Sequence, residues 1–172
     1  MLPPSSQAQF KVYAEVEEFV ALFNIDKGMY RRPLLAIIGG TNLGKSMLAA
    51  SILTRIATAL GLKTFKKITI EDDGNLDLSN FDIDTDAGVL LDGVGDALML
   101  HNHRESLQGR MKEGIGGKSN TMMYAYPFTL CHRAVVVTMD LSASNLDYFS
   151  SHHWLSDQRN VITLRLDAQA WV

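Results

Sequence analysis

The chain has 172 residues, a net charge of −3 and one cysteine, Cys131. With 47% hydrophobic and 20% charged residues it lies in the ordinary globular range, which excludes a disordered, collagen-like or coiled-coil chain. One cysteine excludes an internal disulfide and a cysteine-rich zinc site, so a reduced intracellular compartment is expected. Apolar runs such as Gly88–Leu91 and Ala134–Val137 are too short to cross a bilayer, so no membrane is expected as a partner. The acidic balance means that any nucleic-acid site must be local.

Residues 1–9 read as a flexible leader, and residues 10–172 as one domain. The leader carries Pro3 and Pro4 and lacks the apolar core of a signal peptide. The spacing of Val12, Val16, Phe19, Val20 and Phe23 predicts a helix over 10–24. Leu34–Ile38 is a short apolar strand, and Gly39–Gly44 a glycine-rich turn. Lys45–Leu60 is predicted as a helix, with Leu48, Ile52, Ile56 and Leu60 on one face and Gly61 as its stop. Thr64–Ile70 reads as a strand and Gly88–Leu91 as a buried one. Arg104–Glu113 is expected to be helical, and Thr121–Leu130 extended. Arg133–Thr138 is a buried strand, Leu146–Leu155 is partly helical, and Val161–Leu166 is the last strand. Strands alternating with helices predict an α/β fold with a mainly parallel sheet covered on both faces.

The most specific motif is Gly39-Gly40-Thr41-Asn42-Leu43-Gly44-Lys45-Ser46, a complete G-x-x-x-x-G-K-[ST] pattern. By average composition such a match arises by chance in about one chain in a hundred of this length. Here an apolar strand also enters the loop and a long amphipathic helix leaves it. In such a loop the backbone amides wrap a phosphate, and the helix presents its positive end to the same anion. Lys45 then reaches the β- and γ-phosphates, and Ser46 offers a hydroxyl to Mg²⁺. A second oxygen ligand is needed at the end of a buried strand, and Gly88-Val89-Leu90-Leu91-Asp92 supplies Asp92. ATP and Mg²⁺ are the expected ligands.

In this order of elements the chain resembles the ATPase core of superfamily 3 helicases, within the AAA+ group, over roughly residues 10–168. These are the motors of Rep-type replication initiators of small DNA viruses and of some RNA viruses. The resemblance implies a P-loop NTPase fold of three α/β/α layers around a five-stranded, mainly parallel sheet. It places the strand Val135–Asp140 between the phosphate-loop strand and the strand that ends in Asp92. Asp140 falls where the family usually carries the asparagine that orients the attacking water. Gly114–Asn120 followed by Thr121–Leu130 looks like the family's hairpin, whose basic tip touches the nucleic-acid backbone; Lys118 is the matching residue. Arg159 resembles the arginine that reaches a neighbour's γ-phosphate. Single-stranded nucleic acid and further copies of the chain, as a hexamer, are the partners that the resemblance implies. Two departures stand out. Gly93 replaces the acid that usually follows the metal-holding aspartate, with Asp96 and Asp140 as possible substitutes, and Asp140 replaces asparagine. The nuclease half of Rep-type proteins has no motif in this sequence.

Two other functions are compatible with the loop. A small P-loop kinase could draw a lid from Arg104, Arg110 and Lys112, and an acceptor site from Glu71, Asp72 and Asp73. A non-hydrolysing nucleotide-binding or assembly domain would suit Gly93. Charge is unevenly spread: nine acidic and no basic residues lie between Ile68 and Leu100, and five basic and two acidic between Arg104 and Arg133. Such runs read first as solvated surface. His101-Asn102-His103 and His152-His153 read as exposed or structural rather than as zinc ligands. Asp82-Ile83-Asp84-Thr85-Asp86 lacks the glycine and the final glutamate of a calcium loop. Cys131 reads as a small buried filler, and alternating Tyr124, Tyr126 and Phe128 as core packing.

Overall fold

Leu34–Gly39 is apolar along its whole length, a pattern that a strand can carry only when both faces are covered. The computed structural model buries all six residues, as strand β1. The structure describes residues 9–24, 31–68, 75–110, 112–116 and 124–172. Of the expected leader, residues 1–8 therefore lie outside the described residues, as does Lys118.

The chain runs α1 (Ala14–Ala21), β1, α2 (Lys45–Leu60), β2 (Thr64–Ile68), β3 (Asp86–Val94), α3 (Leu98–Asn102), α4 (Arg104–Leu107), β4 (Lys112–Gly116), β5 (Tyr124–Phe128), β6 (Ala134–Asp140), α5 (Ala143–Ser151) and β7 (Val161–Leu166). Five strands form an all-parallel sheet in the order β2-β3-β6-β1-β7, and β4 pairs with β5 in a separate antiparallel hairpin. The strand carrying Asp140 thus lies between β1 and the strand carrying Asp92. Among the described residues no helix is long and apolar enough to cross a membrane.

Alternation along β1 divides the core. Leu35 and Ile37 pack with Val16, Phe19, Leu48, Ile52 and Ile56 of α1 and α2. Leu34, Ala36 and Ile38 face the other way, toward Leu100, Leu107, Trp154 and Leu155. Helix α2 has the predicted bounds and ends in Gly61, where Leu62 N–H donates back to the Ala57 carbonyl at 2.9 Å.

Several elements differ from their sequence-based bounds, each for a local reason. Helix α1 begins only at Ala14, because the preceding residues pair with the C-terminal tail. Phe10 bridges Trp171, and Lys11 N–H donates to the Ala170 carbonyl at 2.8 Å. Val12, expected on the apolar helix face, is 83% exposed. Of the helix expected over 104–113 only the four-residue α4 is helical, stopping at Leu107, and Lys112 already belongs to β4. The turn between them is closed by Thr129 Oγ1, which donates to the Gly109 carbonyl at 3.0 Å. The last helix starts earlier than predicted, at Ala143, because the Ser142 hydroxyl caps it by accepting from Asn145 N–H at 3.2 Å. Asp82–Asp86 is a self-bonded turn: the buried Asp86 carboxylate accepts from Asp82 N–H at 2.9 Å and from the Thr64 hydroxyl. Cys131 is half-buried rather than a buried filler.

Because Ile37 is fully buried in an interior strand of the sheet, Ile37→Ala should cost about 2–5 kcal/mol of folding stability. Urea denaturation would read this as a lower midpoint at unchanged slope.

Candidate functional site

Every strand of the large sheet ends at the same edge, so residues at the strand C-termini meet there. Register decides which ones. Gly39, at the end of β1, is paired with Asp140 of β6, and Leu91 with Val137. The loop 39–46 leaves this edge and turns into α2.

The loop's lysine is held by three acceptors. Lys45 Nζ donates to the carbonyls of Gly39 (2.8 Å) and Gly40 (2.6 Å) and to Asp140 Oδ1 (3.0 Å). Its side chain is 11% exposed, whereas that of Asp140 is 75% exposed. Gly44 begins the helix with φ +85°, and an added Cβ there would stand 2.2 Å from the Trp171 ring. Both backbone and neighbour thus require glycine.

Asp92 collects three donors from three other elements. Ser46 Oγ donates to Asp92 Oδ1 at 2.6 Å, Thr138 Oγ1 donates to the same oxygen at 2.6 Å, and Lys67 Nζ lies 2.8 Å from Oδ2. Burial alone would raise the Asp92 pKa, but the hydrogen bonds from Lys67, Ser46 and Thr138, with the Lys67 charge, outweigh it. The carboxyl therefore sits below the ordinary aspartate range.

Asp92 is not the tip of its strand as predicted. Strand β3 continues to Val94 through a bulge at which its pairing with β6 shifts. Gly93 lies in this bulge with φ +70°, and its N–H donates to Thr138 Oγ1 at 2.9 Å. The position at which the resemblance implies a second acid is left-handed backbone here. Of the two possible substitutes, Asp140 faces Lys45, while Asp96 is turned away and accepts from Leu98 N–H at 2.9 Å, at the start of α3.

Lys67 and Thr138 were not legible as site residues. Lys67 reads as a strand lysine and Thr138 as part of a buried run. Only the pairing of β2 and β6 on either side of β3 brings both to Asp92.

Arg159 is elsewhere. It precedes β7, whose first residue pairs with Leu34 and whose last pairs with Gly39. At about 3.3 Å per residue that places it on the order of 20 Å from the loop of its own chain. Its exposed guanidinium forms a two-point pair with Asp157, through Nε at 3.1 Å and Nη2 at 2.7 Å. Lys118 lies outside the described residues; the strands that precede and follow it in sequence, β4 and β5, pair antiparallel. The kinase acceptor candidates Glu71, Asp72 and Asp73 also lie outside the described residues. Arg110 of the candidate kinase lid is paired with Glu105 at 2.9 Å.

The structure gathers three histidines that read as unrelated: ligand atoms of His101, His152 and His153 lie within 4.8 Å of one another. His152 and His153 stack with ring centres 4.4 Å apart. However, His152 Nδ1 accepts N–H groups from Trp154 (3.2 Å) and Leu155 (3.3 Å). That nitrogen is therefore already engaged by the backbone. Burial, then Arg104 and the other two histidines, lower the pKa of His101.

No protein-family model matches this chain, and no curated protein matches it in sequence.

Removing the Lys67 ammonium should raise the Asp92 pKa. With a folded pKa below the unfolded value near 3.8, ionised Asp92 contributes stability above that value and loses it as pH falls through the folded pKa. In Lys67→Met this contribution should therefore be smaller, and its loss should be complete at a higher pH. A carboxyl titration by ¹³C NMR tests this, and an unmoved Asp92 would show that Lys67 does not hold it.

Proposed function

We propose that the chain is an ATP-binding P-loop NTPase of the AAA+-like type, similar to the motor core of superfamily 3 helicases, that couples ATP hydrolysis in an oligomer to movement on single-stranded nucleic acid. The observation that carries this reading is the convergence of Lys45 and Ser46 of the glycine-rich loop with Asp92 and Asp140 at one sheet edge. The strand order, with β6 between β1 and β3, also agrees with the resemblance.

The residues fit the expected ligands. Ser46 and Asp92 place two hard oxygens 2.6 Å apart, the donor type that Mg²⁺ takes. These are the residues that would hold the ion, which when bound offsets charge on the phosphate oxygens. Lys45 already uses three oxygen acceptors, and in the ATP complex its ammonium exchanges some of them for β- and γ-phosphate oxygens. The loop amides and the start of α2 add partial positive charge at the same place. Asp140, exposed and beside Lys45, is the acid that orients a water toward the γ-phosphate and accepts its proton. Arg159 precedes β7, at the sheet edge remote from its own loop, so its role lies in the site of a neighbouring copy, where it offsets charge developing in the transition state.

A second reading, binding without turnover, draws on Gly93. In that reading the left-handed Gly93 carries no acid, Asp96 is engaged by Leu98 N–H, and Asp140 only pairs with Lys45.

Turnover of ATP by the purified chain, with and without single-stranded DNA, separates the two. In the motor reading DNA raises the rate, and Lys45→Ala abolishes both binding and turnover. Arg159→Ala should keep ATP affinity and lower turnover by ~10³-fold or more. Equal loss of both in that variant would exclude an arginine acting between subunits. Gly93→Glu, which supplies the usual acid, should lower stability by about 1–2 kcal/mol because of the left-handed backbone, with no gain in turnover. A faster Gly93→Glu enzyme would show that Asp140 does not serve as the acid.

A further inference from the structure

We infer that Trp171 is the stacking platform for the base of the bound nucleotide, which makes the ligand a nucleoside triphosphate held at both ends; this rests on the nucleotide reading above. The inference starts from sheet order. Asp140 and Asp92 lie on β6 and β3, to one side of β1, and β7 flanks β1 on the other. A triphosphate whose γ end points toward Asp92 and Asp140 sends its opposite end toward the β7 side. Trp171 follows β7 on that side.

The indole is next to the loop. An ideal Cβ on Gly44 would stand 2.2 Å from its ring. A cavity of about 260 Å³ is lined by Asn42 through Met47 and by Trp171. That is close to the ~300 Å³ lower end of small-molecule sites. The chain positions Trp171 firmly. Ala170 N–H donates to the Leu43 carbonyl (2.9 Å), and the Ala170 carbonyl accepts from Lys11 N–H (2.8 Å). Val172 N–H donates to the Gln9 carbonyl (2.8 Å), and Trp171 itself bridges Phe10. The indole remains half-buried, with cavity on one side.

A flat aromatic surface at this place suits a base. Stacking uses the π face, which every base has, and the larger purines gain most. The platform therefore strengthens ATP and GTP alike and contributes nothing to inorganic tripolyphosphate, which lacks a base.

The test is calorimetric binding of ATP, GTP and inorganic tripolyphosphate, each with Mg²⁺, to the full chain and to Trp171→Ala, Trp171→Phe and Lys45→Ala. Trp171→Ala should weaken ATP and GTP by roughly 5- to 150-fold and leave tripolyphosphate unchanged. Trp171→Phe, which keeps an aromatic ring and guards against a folding defect, should fall between. In a Trp154→Phe background, ATP should quench the remaining indole emission and tripolyphosphate should not. Equal weakening of all three ligands in Trp171→Ala would overturn the inference, because the ring would then only support the loop. Unchanged ATP affinity, or tighter tripolyphosphate binding, would overturn it as well. In each of those cases a loss of binding in Lys45→Ala would leave the nucleotide reading standing. No binding of any ligand to the unaltered chain would overturn both.

Discussion

A carboxylate drawn largely out of water near the end of a buried strand needs donors, and at Asp92 they come from three separate elements. Ser46 arrives from the start of α2, Thr138 from β6 and Lys67 from β2. Leaving such a carboxylate unpaired would cost several kcal/mol, so the four groups constrain one another. Thr138 also accepts the Gly93 amide through the same oxygen, which ties the direction of Asp92 to the bulge after it. The C-terminal edge of the sheet is therefore held by polar contacts, while the strands behind it are held by apolar burial.

The glycine-rich loop is supported from two directions. On the β6 side, the pairing of Gly39 with Asp140 puts a carboxylate within reach of Lys45. On the β7 side, the tail residues 170 and 171 lie against Leu43 and Gly44 and are themselves pinned by residues 9–11. A loop fixed at both flanks loses little freedom on binding, which is how preorganisation strengthens a site. The segment after β3 is fixed in the same manner. The buried Asn145 of α5 accepts from Ala97 N–H and donates to the Gly95 carbonyl, both at 3.0 Å.

The polarity of a parallel sheet also separates functions. Residues just after a strand and residues just before one lie on opposite edges. Lys45, Asp92 and Asp140 belong to the C-terminal edge; Arg159 belongs to the other. Its guanidinium is exposed in the pair with Asp157, and surface pairs of this kind add little to stability. An arginine in this position is available to another molecule and remote from its own loop.

The amino-acid sequence by itself determined much of the frame. The five strands of the sheet, the bounds of α2 and its glycine stop were legible because apolar runs, helical spacing and a left-handed cap are local properties. So were Lys45, Ser46 and Asp92, since the loop motif fixes the first two and the run of apolar residues before it marks the third. Asp140 was legible only through the resemblance. Lys67, Thr138, Trp171 and the three clustered histidines were not legible, nor was the late start of α1. Each depends on which strands become neighbours and in what register, or on the tail returning to pair with residues 9–11. Those pairings join residues up to about 160 positions apart. No local periodicity encodes them. They are decided when the whole chain buries both faces of β1 at once, and only the tertiary structure records the outcome.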